Sequence, residues 1–255
     1  MNVRLVSAEL LKLRKRRGLF WWTLLLTVGV IVVVFGILEG LHLADPSRHG
    51  PAGGIEALRG SLIGLTSAGA IAAILVGTMA GAGDVTAGVF RDLVATGRSR
   101  WGLFAARVPG ALALFLPMIT LGYVIASVCA VTLAGPLPAP GAALIAKGYG
   151  WVALSTSFDL VLALGFASLV GSRATTIGVL IGWQFIAEPL LSQVSFLGGL
   201  REGFFTGSLA RLNPLPGPAR GLEVTHSVVV AVLVLVAWAA AALASGGWRT
   251  ATRDA

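Results

Sequence analysis

Gly18-Leu-Phe-Trp-Trp-Thr-Leu-Leu-Leu-Thr-Val-Gly-Val-Ile-Val-Val-Val-Phe-Gly-Ile-Leu-Glu-Gly-Leu41 is the stretch on which the fold turns. A helix that crosses a bilayer needs about 20 mostly apolar residues, and this run supplies them. Its apolar core is too long for a cleavable signal peptide, and no small-x-small cleavage pattern follows it at once. It therefore reads as a retained span.

The same ruler finds five more runs: Ser61–Gly83, Leu103–Ala134, Gly148–Val170, Thr175–Val194 and His226–Trp248. The third of the six spans is long enough to start as an extension around Arg107, and it carries Pro109 and Pro117, either of which would kink a helix by removing a donor. Composition agrees with the count. The chain is 56% hydrophobic and 12% charged, against roughly a quarter charged in soluble domains, and its mean hydropathy is +0.88. No soluble fold of this length hides that much apolar surface. The fold expected is all-α: one polytopic transmembrane domain over residues 1–255 with six spanning helices. The net charge of +8 does not read as a nucleic-acid surface, because the cations stand at the ends of apolar runs. Cys129 is alone and has no intramolecular disulfide partner.

Lysine and arginine set the expected orientation. With the N-terminus inside, thirteen lie on the cytoplasmic side: Arg4, Lys12, Arg14, Lys15, Arg16, Arg17, Arg91, Arg98, Arg100, Arg107, Arg173, Arg249 and Arg253. Six lie outside: Arg48, Arg59, Lys147, Arg201, Arg211 and Arg220. Both termini are thus expected in the cytoplasm, with the protein in the bacterial inner membrane. Within residues 195–225, Phe196–Phe205 is apolar and glycine-rich but broken by Arg201 and Glu202, and the turn-rich stretch Asn213–Pro218 follows. They suit an outer re-entrant or interfacial hairpin before the last span.

Two segments on the cytoplasmic side carry further information. Residues 1–17 contain an amphipathic helix, with Val3, Val6, Leu10 and Leu13 on one stripe and Arg4, Lys12, Lys15 and Arg16 toward the other side. Such a helix lies in the interface with its basic face toward anionic headgroups, or serves simply as a positive anchor. The second segment, 84–101, joins the second and third spans. Asp84 can N-cap a helix; Val85, Val89 and Leu93 recur on one face, widened by Phe90 and Val94; Thr96-Gly97 supplies a stop. This helix of about three turns is too short to span, so its apolar face rests on the membrane surface or in a partner's groove.

The order of these pieces, with Asp84-Val-Thr-Ala-Gly-Val-Phe-Arg-Asp-Leu-Val-Ala-Thr-Gly-Arg-Ser-Arg100 between spans two and three, resembles the membrane permeases of type-2 ATP-binding-cassette (ABC) exporters. Asp84 stands where that family often has glutamate, which keeps the capping chemistry. The resemblance covers nearly the whole chain in topology and about twenty residues in motif. It implies that 84–101 is a coupling helix docking in a separate ABC ATPase, with Asp84, Val85, Val89, Phe90, Leu93 and Arg98 at the contact. It implies that the N-terminal helix is the family's connecting helix and that the hairpin is its extracellular re-entrant element. Six spans would form half of a pathway, completed by a homodimer or a sister permease. The chain has no G-x-x-x-x-G-K-[ST] phosphate loop, so the ATPase activity would reside on another subunit.

The remaining polar residues are few. Asp159 lies mid-span beside Ser155, Thr156 and Ser157, either a packing residue or a functional acid. Gln184, Glu188 and Ser192 recur at i, i+4 and i+8 on the fifth span, and Pro189 should open the helix beside Glu188. This stripe reads as the lining of a translocation path or as interhelical hydrogen bonding, and the resemblance, which places span five near a dimer axis, favours the path. Gly77-x-x-x-Gly81 and Gly178-x-x-x-Gly182 permit close helix contact. His42 and His49 beside Asp45 read as loop residues and not as metal ligands. No catalytic arrangement, cofactor motif or metal set is expected. The rival readings are a secondary transporter using Asp159 or Glu188 and a polytopic scaffold. A drug, antibiotic, lipid or peptide would fit as cargo of an exporter.

Overall fold

The computed structural model describes residues 3–95, 97–194, 196, 199, 203–215 and 227–253. These residues are helical, with no strand among them. We number the helices in chain order: α1 (Val3–Arg14), α2 (Arg17–Ala44), α3 (Gly54–Thr86), α4 (Phe90–Ala95), α5 (Arg100–Thr132), α6 (Ala142–Val170), α7 (Arg173–Leu191), α8 (Phe205–Arg211) and α9 (Val228–Thr252). Six of them, α2, α3, α5, α6, α7 and α9, are long and apolar enough to cross a membrane. The protein is thus a multi-pass membrane protein built from helices.

The helices overrun the apolar runs at several ends. α3 and α5 each extend over 33 residues, about 50 Å at the α-helical rise, which is longer than a hydrocarbon core of about 30 Å. Backbone hydrogen bonding continues past the last apolar residue wherever a neighbouring helix still packs against it. α5 runs unbroken through Pro109 and Pro117. Two wide π-turns interrupt otherwise regular spans, at Leu25–Gly29 in α2 and at Trp183–Ala187 in α7. The second ends two residues before Pro189, whose ring clashes with the carbonyl four residues back. The helix therefore does open beside Glu188, and it does so by a π-turn.

α3, α5 and α6 form the centre of the bundle, where Leu58, Leu62, Leu65, Phe115, Ile119, Val152 and Leu160 are nearly inaccessible. α2 and α9 lie at the periphery and show Val32, Val33, Val229 and Leu233 outward, each more than half exposed. Such a flank fits lipid, in which exposed aliphatic surface costs nothing. A second, smaller core gathers Phe158 and Leu162 of α6, Leu180 of α7, Phe205 and Leu209 of α8 and Leu235 of α9. Of the predicted hairpin 195–225, only 196, 199 and 203–215 are described. Within it, α8 is tucked into the bundle: the Trp151 indole N–H donates to Leu209 O at 2.7 Å and Trp238 donates to Gly203 O at 3.0 Å.

The tightest helix contact lies between α3 and α6. A Cβ built on Gly77 would stand 2.4 Å from Leu160 O, and one on Gly81 would stand 2.4 Å from Leu164 O. The Gly77/Gly81 pair thus lets two backbones touch, the use that small residues have where no hydrophobic effect drives helices together. The pair Gly178/Gly182 meets nothing within 4 Å in this chain. Gly77→Val should force α3 and α6 apart and cost about 1–3 kcal/mol, as overpacking does. A lowered unfolding temperature of the detergent-solubilised protein is the expected result; an unchanged one would mean that the two backbones are not in contact.

Both chain ends meet at one end of the bundle, called here the terminal end. Arg100 at the start of α5 donates to Ala251 O at 3.0 Å and Arg253 O at 2.6 Å after α9. Lys12 of α1 reaches Asp84 at the end of α3. The opposite end is braced by loop bonds, Gly53 N–H to Leu133 O at 3.0 Å and Ile55 N–H to Pro138 O at 3.1 Å. There His42 Nδ1 approaches His49 O at 2.6 Å, a local loop contact. The thirteen cations assigned to one side by the sequence all stand on elements of the terminal end.

Candidate functional site

The α3–α5 connection is where the sequence placed a coupling element. Gly88 and Gly97 adopt left-handed φ of +71° and +75° and bracket a helix of only six residues, α4. Gly97 thus fills the stop role expected of it. Asp84 does not cap this helix. α3 continues through it to Thr86, because small residues at 80–83 stay packed in the bundle. Val85 accordingly sits on the last turn of α3 and shares no face with Leu93; the glycine turn at 88 breaks the register. Val89 is 41% exposed, Leu93 is half-buried and Arg98 is exposed. The Phe90 and Arg91 side chains lie outside the described residues.

Asp84 is instead the centre of a buried ion-pair knot. Its carboxylate accepts Arg107 Nη2–H at 3.0 Å on one side and Lys12 Nζ–H at 3.0 and 3.1 Å on the other. Arg107 is 1% exposed and Asp84 2%. Arg107 Nη1 also donates to Gly81 O at 3.1 Å, and Lys12 pairs in turn with Glu9 of α1. Arg107 lies on the second turn of α5, about 10 Å in from its start, so the guanidinium reaches sideways to α3. Charges taken this far from water persist only when paired and hydrogen-bonded. The knot ties α1, α3 and α5 together directly beneath the α4 loop.

α1 itself is seated on protein. Leu13 is fully buried, and Gly110 of α5 lies so close to α1 that an added Cβ would meet Glu9 Cβ at 2.6 Å. The lower part of the predicted apolar stripe thus packs on the bundle, while Val3, at 76% exposure, stays outside. The C-terminus adds crowding: burial, then the nearby charges of Arg249 and Arg107, lower the Arg253 pKa. A cationic surface under this self-repulsion favours an anionic neighbour.

The polar residues inside the membrane domain prove to be neighbours. Asp159 of α6 is 3% exposed and Glu188 of α7 is 2% exposed. Gln184 turns its amide to Asp159, and the Glu188 carboxyl lies within electrostatic reach of the same group. The i+4 stripe is rearranged in doing this, since Gln184 lies within the π-turn that ends just before Glu188. The Ser192 side chain lies outside the described residues. Glu188 Oε1 accepts the Thr206 N–H at 2.9 Å from the start of α8, and the Thr206 hydroxyl, the Trp183 indole and the Gly207 N–H also lie against its carboxyl.

This cluster keeps unmet hydrogen-bonding capacity. Asp159 Oδ1 and Ser155 Oγ are buried without a partner among the described residues. Ser155 and Asp159 are one turn apart and so share a face of α6. None of the described ion pairs involves either acid. Beside the cluster, a cleft of about 400 Å³ between α6, α7 and α9 is lined by Trp183, Phe205, Trp238, Leu162, Val179 and Phe166, among others. Lys12, Arg107, Thr206 and Trp183 were not among the candidates from sequence. Only Trp183 and Thr206, each near a candidate acid or on the re-entrant stretch, carried any local hint. No group of three or more metal-ligating side chains occurs among the described residues.

Comparison with family models finds no match, and comparison with curated proteins finds none either.

Proposed function

We propose that this protein is the membrane permease subunit of a type-2 ABC exporter, with both termini in the cytoplasm of a bacterium and a separate ATPase docked on the α3–α5 connection. One observation carries the reading. The connection between α3 and α5, exposed at 87–89, 92, 95 and 97–99, stands on the ends of the two longest spans, and its base is clamped to both of them by the Asp84–Arg107 pair. Force applied to this loop is transmitted to α3 and α5 as a unit. The resemblance of 84–100 to the family's coupling segment supplies the partner: an ATPase cleft receiving Val89, Phe90, Leu93 and Arg98. In this reading Asp84 is the root of the lever and does not touch the ATPase. A second copy or a sister permease completes the pathway, with Gln184 and Glu188 on it and the 195–225 stretch as its outer re-entrant element.

The experiment is co-expression with the candidate ATPase and recovery of both from detergent through a tag on the permease. A complex whose ATP hydrolysis depends on the permease supports the reading; a permease recovered alone, from cells where both are abundant, removes it. The orientation has its own test. Thr252 is exposed at the terminal end, and Thr252→Cys in a Cys129→Ala background should resist membrane-impermeant thiol reagents in intact cells and react after permeabilisation. Labelling from outside would invert the topology and put the loop beyond reach of any ATPase.

The buried acids favour one alternative, a secondary transporter that binds an ion at Asp159 and Glu188. It separates from the exporter by energetics, since its transport would survive ATP depletion and stop when the ion gradient collapses.

A further inference from the structure

We infer that the Asp159–Glu188 cluster and the aromatic cleft beside it form one binding site for a lipophilic organic monocation, with the cationic head at the carboxyls and the apolar body in the cleft. The inference rests on the exporter reading only in calling that ligand a substrate; the binding itself does not need an ATPase.

The head site follows from the chemistry of the cluster. Asp159 Oδ1 and Ser155 Oγ are buried without a partner among the described residues, and Glu188 beside them is held by Thr206 and Trp183. Both acids can carry negative charge, and neither has a counter-ion among the described ion pairs. Even on the most lenient scales an unpaired carboxylate in the hydrocarbon region costs about 2.5–3.5 kcal/mol. Two such groups within electrostatic reach of each other cost more. Packing alone does not require this: with isosteric amides at both positions, the acceptors would remain without the charge. Each acid can be neutralised by a proton, but a single cation between them relieves both at once, and the described ion pairs show no lysine or arginine in that place.

The body site follows from continuity. Trp183 lies against the Glu188 carboxyl and also lines the cleft. Phe205 lines the cleft and precedes Thr206, whose N–H holds Glu188. Phe205 is fixed by a tilted contact with Phe158 and an edge-on contact with Trp238, at centroid separations of 5.4 and 5.9 Å. Trp183 and Trp238, which both line the cleft, are aromatic partners for a cation held there. The cleft volume of about 400 Å³ lies in the range of roughly 300–1,000 Å³ typical of small-molecule pockets. A bare metal ion would have no use for that apolar volume, and a neutral lipid would have no use for the acids.

Tetraphenylphosphonium is the probe: a permanent monocation with an apolar body. Titrated into the purified full-length permease, it should quench tryptophan fluorescence saturably. Triphenylphosphine oxide, neutral and of similar body, should bind at least tenfold more weakly, and so should tetramethylammonium, which has the charge alone. Glu188→Gln and Asp159→Asn keep shape and acceptors while removing charge, and each should weaken tetraphenylphosphonium at least tenfold while leaving triphenylphosphine oxide unchanged. Equal affinity of the wild-type protein for the cation and the neutral analogue would overturn the inference, with no variant needed. So would tetramethylammonium binding as tightly as tetraphenylphosphonium, which would mark a simple ion site. Undiminished binding in both amide variants would place the ligand elsewhere. Binding with no ATPase recovered in the pull-down would sink the exporter reading and leave this site standing.

Discussion

Arg107→Ala is expected to be the most damaging single substitution in the chain. The change deletes two hydrogen bonds, to Asp84 Oδ2 and to Gly81 O, and opens a space where one of the largest fully buried side chains stood. Its main effect is on what remains. Asp84, itself 2% exposed, keeps only Lys12, whose side chain is 28% exposed and already shared with Glu9. Breaking a buried pair by removing one partner costs about 3–5 kcal/mol, whereas replacing both partners is often close to neutral. The single variant should therefore aggregate or unfold at much lower temperature in detergent, and Arg107→Met combined with Asp84→Asn should recover most of the loss. A double variant no better than the single one would mean that packing volume, and not charge, is what Arg107 provides.

Leu93→Asp should produce the largest functional loss without a folding defect. Leu93 lies on α4, outside the bundle core and half-buried, so a charge there is solvated by the surrounding loop. In an ATPase groove the same charge would be desolvated at the centre of the contact, where a few apolar residues dominate the energy. The expected outcome is a permease that expresses and elutes as the wild type does but retains no ATPase in the pull-down. Full retention of the ATPase by Leu93→Asp would exclude α4 as the docking element.

The spans were legible because each needs only a run of apolar residues, and their count is a property of the chain alone. The polar chemistry was legible residue by residue and not as an arrangement. Asp159 and Glu188 were both visible as acids in apolar runs, but whether they meet depends on the rotation of α6 against α7 and on a π-turn that shifts Glu188 relative to Gln184. Asp84 was misplaced for a related reason. Gly-Ala-Gly-Asp reads as the end of a helix and the start of a cap, yet in the bundle those small residues are buried against α6 and the helix continues. Arg107 looked like part of a solvated extension, because nothing local to it announces a partner 23 residues earlier.

The seat of α1 has a consequence for how the protein is made. α1 leaves the ribosome well before α5, but the groove that receives it belongs to α5, with Gly110 against Glu9, and its Lys12 is bound by an acid 72 residues downstream. During synthesis of α2 through α4 the helix has no such place to go. The exposed cations on it and just after it, Arg4, Arg14, Lys15 and Arg17, are suited to hold it at anionic headgroups in the interval, at about 1 kcal/mol per cation. Docking then requires that the third span is already in place, so α1 reaches its seat only after an element made well after it.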